Sequence, residues 1–201
     1  NDVELFLGPK ITCRADNATS NDPDACTATV TGLAPTIDLG LGTQVTYEVT
    51  GATARTGNDD ASGSFNKGES FVKYVVTDTV GNKDSCTFKV TVSDTTKPAF
   101  TVPVNDTIYK AGDCSYDASV GVTGDVTDES DNCPSAIEAT YSDTTLAGSC
   151  PGSLTIQRTW ELLDSSGNKN TQVQTITVLD TTRPVFTRPA DITIYKNDTC
   201  G

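Results

Sequence analysis

The sequence predicts an all-β chain of tandem antiparallel β-sandwiches joined end to end, followed by the first strand of a third. Three observations predict it. Apolar residues alternate with polar ones at period two instead of recurring at three and four, so the segments read as strands with one buried face. Six or seven such short segments per 86 residues are separated by turns of Gly, Asp and Asn, the density of a two-sheet sandwich. Finally, "DTTKPAFTVPVNDTIYK" (Asp94–Lys110) returns 86 positions later as "DTTRPVFTRPADITIYK" (Asp180–Lys196), with eleven of seventeen residues identical. Self-similarity at a fixed spacing marks a chain built from copies of one unit.

In the first copy the stretch opened by Ile11 starts the sandwich, and Thr27–Gly32 and Gln44–Gly51 supply its next strands. Val72, Tyr74 and Val76 then alternate with Phe71, Lys73 and Val75. "DTVGN" turns the chain, and Cys86, Phe88, Val90 and Val92 alternate with polar neighbours. This is a hairpin with one face inward. The second copy opens at Ile108 and continues through Ala118–Val122 and Ile137–Ser142. There Trp160 and Leu162 replace Tyr74 and Val76, "DSSGN" replaces "DTVGN", and Ile176 and Val178 replace Val90 and Val92. In each turn an Asp (Asp78, Asp164) can accept bonds from the amides ahead of it, and a Gly (Gly81, Gly167) can take a positive φ. Trp160, in phase with Leu162, reads as a core anchor. No segment reads as a helix.

These patterns divide the chain into a first sandwich (1–95), a second (96–181) and the start of a third (182–201). The repeated stretch is the joint. Its "DTT" closes one sandwich, Pro98 or Pro184 stops the strand, and "AFTVPVNDTIYK" begins the next as an edge strand interrupted by Pro103. With no Gly and no Ser between Asp94 and Lys110, the crossing lacks the composition of a flexible tether. The strand from Arg183 to Gly201, with apolar Val185, Phe186, Ile192 and Ile194, is expected to be disordered alone or paired with another chain.

The chain has 201 residues, 27 Asp and Glu against 14 Lys and Arg, no His and no Met. The absent Met suggests part of something longer. A net charge of -13 makes nucleic acid an unsuitable partner, because phosphate binding needs the opposite sign. No apolar run is long enough for membrane insertion. Seven Cys without His point to disulfides in an oxidising compartment more than to zinc, so the chain reads as secreted to the cell surface. Lacking His, it also lacks the usual general base and the triads that depend on one, and no enzymatic activity is expected.

"SFVKYVVTDTVGNKDSCTFKVTVSDTTKP" resembles the closing half of a hyalin repeat (HYR) domain, an immunoglobulin-like module of extracellular adhesive proteins. "DVTDESDNCPSAIEATYSDTTLAGSCPGSLTIQRTW" followed by "VQTITVLDTTRPVFT" resembles the cysteine-richer HYR-like repeats strung along large bacterial surface proteins. The resemblance covers nearly the whole chain. It implies immunoglobulin-type sandwiches, a Cys13–Cys86 disulfide in the first copy and a Cys114–Cys133 disulfide in the second. Val102 and Gln172 stand where the second copy would carry the first staple. Cys26 matches Cys114 without a "DNC" to follow it, and Cys150 faces Ser165 and Ser166 where a partner is usual. Both are either free thiols or members of rearranged pairs. Cys200 belongs to the next repeat.

Calcium is the cofactor the acidic residues suit, since it takes six to eight oxygens and a junction between sandwiches can supply them. The candidate ligands are Asp94 and Asp180 in the junctions, and Asp125, Asp128, Glu129 and Asp131 with Asn132 in one loop. Asn17, Asn105 and Asn197 begin N-x-Thr sequons. Thr79, Thr95, Thr107, Thr144 and Thr181 lie in Asp-Thr tripeptides that resemble an O-glycosylation motif of gliding bacteria. Function is expected to be structural: a stalk or filament segment of a secreted adhesive protein, its partners being neighbouring repeats, other copies in a fibre, or surface glycans. The alternative is a ligand-binding module whose end loops hold glycan or protein. That reading calls for clustered exposed aromatics, and Tyr47, Tyr109, Tyr116 and Tyr195 are scattered along the chain.

Overall fold

The structure, a computed structural model, describes residues 8–38, 42–148 and 152–194. It divides into two compact units. One comprises Asn1–Val102, Val126–Ser142 and Thr159–Val173, the other Pro103–Asp125, Asp143–Arg158 and Gln174–Gly201.

The first unit carries β1 (Lys10–Thr12), β2 (Asn17–Ser20), β3 (Thr27–Val30), β4 (Thr36–Asp38), β5 (Gln44–Gly51), β6 (Arg55–Asn58), β7 (Gly63–Asn66), β8 (Gly68–Thr77) and β9 (Lys83–Ser93). Five of these form one sheet in the order β2-β9-β8-β5-β6, while β1 pairs with β4 and β3 with β7. The period-two pattern survives in the burial of β8, where Val72, Tyr74 and Val76 are fully enclosed and Phe71 is exposed. Opposite them on β9, Phe88 faces Val72 and Cys86 faces Tyr74. These side chains meet Ala28, Val30, Leu33 and Phe65 in one apolar cluster. Each buried side chain of this kind contributes about 1.5–3 kcal/mol. The Tyr74 hydroxyl, in the middle of that cluster, accepts from the Ala61 N–H (2.7 Å) and donates to the Leu33 carbonyl (3.1 Å). A buried phenol needs such partners. The "DTVGN" turn closes as its residues dictate: Asp78 Oδ1 accepts from the amides of Val80 and Asn82, and Gly81 has φ 94°.

The second copy supplies β10 (Asp106–Tyr109), a single helical turn α1 (Val120–Thr123), β11 (Thr140–Ala147), β12 (Leu154–Leu163) and β13 (Lys169–Leu179). Its sheet runs β10-β13-β12-β11. The pairing of β10 with β13 is parallel, Asp106 opposite Ile176, just as β2 lies parallel to β9 with Asn17 opposite Val90. Ile108, Ile156, Ile176 and Val178 form an apolar core in the second unit, and Trp160 is fully buried in the first, 5.0 Å from the Tyr141 ring.

Two positions break the apolar pattern. Arg158 and Gln174 lie 86 residues after Val72 and Phe88, and both are buried. The Arg158 guanidinium donates to both Asp143 carboxylate oxygens (2.8 Å each), to the Thr123 hydroxyl (2.8 Å) and to the Ala118 carbonyl (2.5 Å). This network accounts for a difference from the sequence reading: Ala118–Val122, expected as a strand, contains no strand, and its end enters α1. In an extended strand positions 118 and 123 would lie about 16 Å apart, beyond the reach of one guanidinium. A helical turn brings the carbonyl of one and the hydroxyl of the other to the same guanidinium. The strand expected over Ile137–Ser142 begins later, at Thr140, and runs on to Ala147. Residues 181–194 form no strand, and Val185, Phe186, Ile192 and Ile194 stand almost wholly exposed.

Replacing Arg158 by Ala leaves Asp143, Thr123 and the Ala118 carbonyl without their donor. Urea denaturation should show a loss on the order of 3 kcal/mol, whereas Arg158→Met with Asp143→Leu should recover most of it. A single variant as stable as the parent would contradict the role given to the network.

Candidate functional site

The repeated stretch meets a physical difficulty. Pro98 and Pro103 have no N–H, so the chain between Asp94 and Val104 cannot join a regular ladder, yet its carbonyls still need donors. Side-chain amides supply four of them, and the Ser130 amide supplies the Ala99 carbonyl (2.9 Å). In the first unit, Asn168 donates to the Asp94 carbonyl (3.2 Å), Asn170 to that of Pro98 (2.9 Å) and Gln172 to that of Phe100 (2.7 Å). In the second unit, Gln174 donates to Val104 (3.0 Å) and Thr123 (2.7 Å). Asn170, Gln172 and Gln174 are alternate residues of β13 and share one face. Gln172 occupies the place that Cys86 holds one repeat earlier, so an amide hydrogen bond replaces the first copy's staple.

Asp94, just past β9, is the centre of a polar cluster within the first unit. Its side chain is fully enclosed. Oδ1 accepts from the Thr96 amide (3.1 Å), while Oδ2 accepts from the Ser166 hydroxyl (2.8 Å) and lies 3.6 Å from Lys67 Nζ. Lys67 also donates to Ser166 (2.5 Å) and Ser165 (3.3 Å). On another side stands the loop at Asp131: its Oδ2 accepts from the Cys133 amide (2.9 Å), and Asn132 donates to the Ala25 carbonyl (2.8 Å). Ligand atoms of Asp94, Asp131 and Cys133 lie within 4.8 Å of one another. Asp131 Oδ1 and Asn132 Oδ1 are buried without a hydrogen-bond partner, a condition that costs about 1–3 kcal/mol for each group.

Two disulfides form among the described residues, and one of them borders this cluster. Cys13 is bonded to Cys86 (Cα–Cα 5.6 Å). Cys133 is bonded to Cys26 (Cα–Cα 4.7 Å) across 107 positions, which corrects the expected Cys114–Cys133 pair. Cys114 is an exposed free thiol. The reason is positional: the Asn132 hydrogen bond to Ala25 holds the Cys26 turn against the Asp131–Cys133 loop, and the Lys67 amide ties the Cys26 carbonyl (3.1 Å) to the end of β7. Cys114 belongs to the other unit. Two leftover facts carried this signal in the sequence, namely a Cys26 with no "DNC" in its own copy and a "DNC" in the next. Since its sulfur is oxidised, Cys133 has no thiolate to offer a metal.

A family model described as HYR domain matches residues 7–92. Residues 7–92 are a HYR domain. The serine-rich adhesin for platelets of Staphylococcus aureus is 34% identical over 145 residues, an alignment that takes in 68% of this chain and 6% of that protein. The chain thus spans a small fraction of the relative's length. Among solved structures it is similar to Drosophila N-cadherin EC1-4 (TM-score 0.43, 12% identity, 88% of this chain and 50% of that one). It is also similar to human mucin-like protocadherin EC1-2 (TM-score 0.40, 12% identity, 86% and 98%).

At the edge of the HYR domain, then, Asp94 and Asp131 are the two suggested calcium ligands that the described residues bring together. The others serve as acceptors elsewhere. Asp128 takes the Thr101 amide (2.8 Å), Glu129 the Ala139 amide (3.3 Å) and Asp180 the Thr182 amide (3.0 Å), while Asp125 lies exposed in the second unit. Of the sequons, Asn17 sits in β2 with its carboxamide oxygen buried. Asn105 is exposed and accepts from the Thr175 amide (2.7 Å). Asn197 lies outside the described residues, as do Cys150, Tyr195 and Cys200. Thr79, Thr95, Thr107, Thr144 and Thr181 are all exposed.

Asp78 and Asp164 close equivalent turns. Burial works to raise each carboxyl, but hydrogen bonds from Asn82 and Val80, or from Asn168 and Ser166, outweigh it and hold both below the ordinary carboxylate range. The folded chain therefore binds fewer protons than the unfolded one. Stability from these groups is complete above pH ~4 and is lost as pH falls through their depressed folded-state values. Melting temperatures measured from pH 6 to 2 should decline below pH ~4, and less steeply in Asp78→Asn/Asp164→Asn. Identical profiles for parent and double variant would contradict this assignment.

Proposed function

We propose that this chain is a stalk segment of an extracellular, cell-surface adhesive protein: two sandwiches, at 1–95 and 96–181, and the opening of a third at 182–201, acting as a rigid spacer without catalytic chemistry. The observation that carries the reading is the Cys26–Cys133 bond, which joins residue 26 of one copy to residue 133 of the next. Pulled from its ends, the oxidised chain can pass from Cys13 to Cys26 and across the bond to Cys133, leaving the other 107 positions unextended. Single-molecule stretching should therefore release about 350 Å more length after reduction, at 3.3–3.6 Å per residue. Equal extension in both states would refute the spacer.

A second element of the proposal is a calcium ion at Asp94, Asp131 and Asn132, supported by the two buried oxygens that lack donors. The donor set fits a hard cation, being carboxylate and amide oxygens. Lys67 is the resident competitor at 3.6 Å, so its ammonium has to move for the ion to enter. Calcium at a hundredfold excess over its dissociation constant should stabilise the fold by about 2.7 kcal/mol, and Asp131→Asn should abolish most of that gain. Lys67→Ala should strengthen binding. No shift in melting temperature at millimolar calcium would remove the ion and leave the spacer standing.

A further inference from the structure

We propose that Cys114 is one half of a second disulfide between copies, its partner being the cysteine of an Asp-Asn-Cys loop in a following module of the same kind. The inference rests on the tandem-repeat reading. Its basis is that the turn holding Cys114 is the counterpart of the turn holding Cys26, by hydrogen bonding as well as by sequence. After β2, the Asn21 amide donates to the Ser93 carbonyl (2.9 Å) at the end of β9. After β10, the Lys110 amide donates to the Leu179 carbonyl (2.9 Å) at the end of β13. Ser93 and Leu179 are 86 residues apart. The first turn then closes through Asp22 to the Thr27 carbonyl and Ala25 to the Asp22 carbonyl. The second closes through Ala111 to the Ser115 carbonyl and Cys114 to the Ala111 carbonyl, one residue shorter.

The first of these turns already presents its cysteine to a loop of the following copy, with Cys26 bonded to Cys133. That bond consumes the Asp-Asn-Cys loop of the second copy, so Cys114 remains exposed and reduced beside it in sequence. Asp180 follows Leu179 as Asp94 follows Ser93, and Arg183–Cys200 repeats Lys97–Cys114, so the chain already writes the opening of a further module. Forming the bond breaks two S–H bonds and makes one S–S bond. The two electrons and two protons pass, by thiol–disulfide exchange, to the disulfide of an extracytoplasmic oxidoreductase, which leaves as its dithiol.

The test alkylates native protein with iodoacetamide and maps peptides without reduction, in this 201-residue chain and in the parent polypeptide carrying the next repeat. In the short chain Cys114 should be alkylated. In the parent it should be protected and recovered joined to the next Asp-Asn-Cys cysteine. Alkylation of Cys114 in the parent, a bond to Cys150 or Cys200, or a next repeat with no cysteine in that loop would each overturn the proposal. Failure of the spacer would appear in the stretching traces and not in this map, so the two readings fall separately.

Discussion

The constraint on which this molecule depends is that proline-bearing backbone cannot donate, while its carbonyls must still be satisfied. Between Asp94 and Val104 four carbonyls receive side-chain amides, those of Asn168, Asn170, Gln172 and Gln174. An all-β chain has an easier way to satisfy such groups, by adding a strand, but Pro98 and Pro103 forbid it. The alternation of β13 serves this need: one face of the strand reads polar from Asn170 to Gln174 and becomes apolar at Ile176 and Val178, where β10 has begun and the ladder resumes. The same strand is thus half a clamp and half a core.

The two copies solve their interiors differently. The first buries Val72 against Phe88 and staples its opening segment with Cys13–Cys86. The second has Arg158 and Gln174 at the corresponding places and no staple. A buried guanidinium is tolerated only with a full set of acceptors, and here these are a carboxylate on β11 and a hydroxyl and a carbonyl from the segment 118–123. Such a network gives little net stability over an apolar pair, but it fixes the position of α1 and β11 relative to β12. Geometry that the first copy obtains covalently and by apolar packing, the second obtains from directional polar contacts.

The strands with one buried face were legible in the sequence because period two is a local property. The hairpin from Val72 to Val92, its Asp78-to-Gly81 turn and the counterpart from Trp160 to Val178 needed nothing beyond neighbouring residues. Where an element answers to a distant partner the reading failed, as at Ala118–Val122, whose conformation is set by Arg158. Cysteine pairing is likewise a matter of which segments meet in space. Cys114 stands 19 positions before Cys133, whereas Cys26 is brought to it by the bond from Asn132 to Ala25. The cluster at Asp94 was half visible: its acidic members could be named, but the lysine and serines that surround Asp94 arrive from residues 67, 165 and 166.

The two disulfides interleave along the chain, in the order Cys13, Cys26, Cys86, Cys133. A polypeptide emerging from its N-terminus exposes Cys13 and Cys26 together, well before either native partner. Cys86 follows, and Cys133 comes 47 residues later, about 2–10 s at ordinary synthesis rates. Throughout that interval the HYR domain can hold its Cys13–Cys86 bond while Cys26 waits reduced. Oxidation of this chain is therefore directional, the Cys26 bond closing only when Cys133 of the following copy has been delivered.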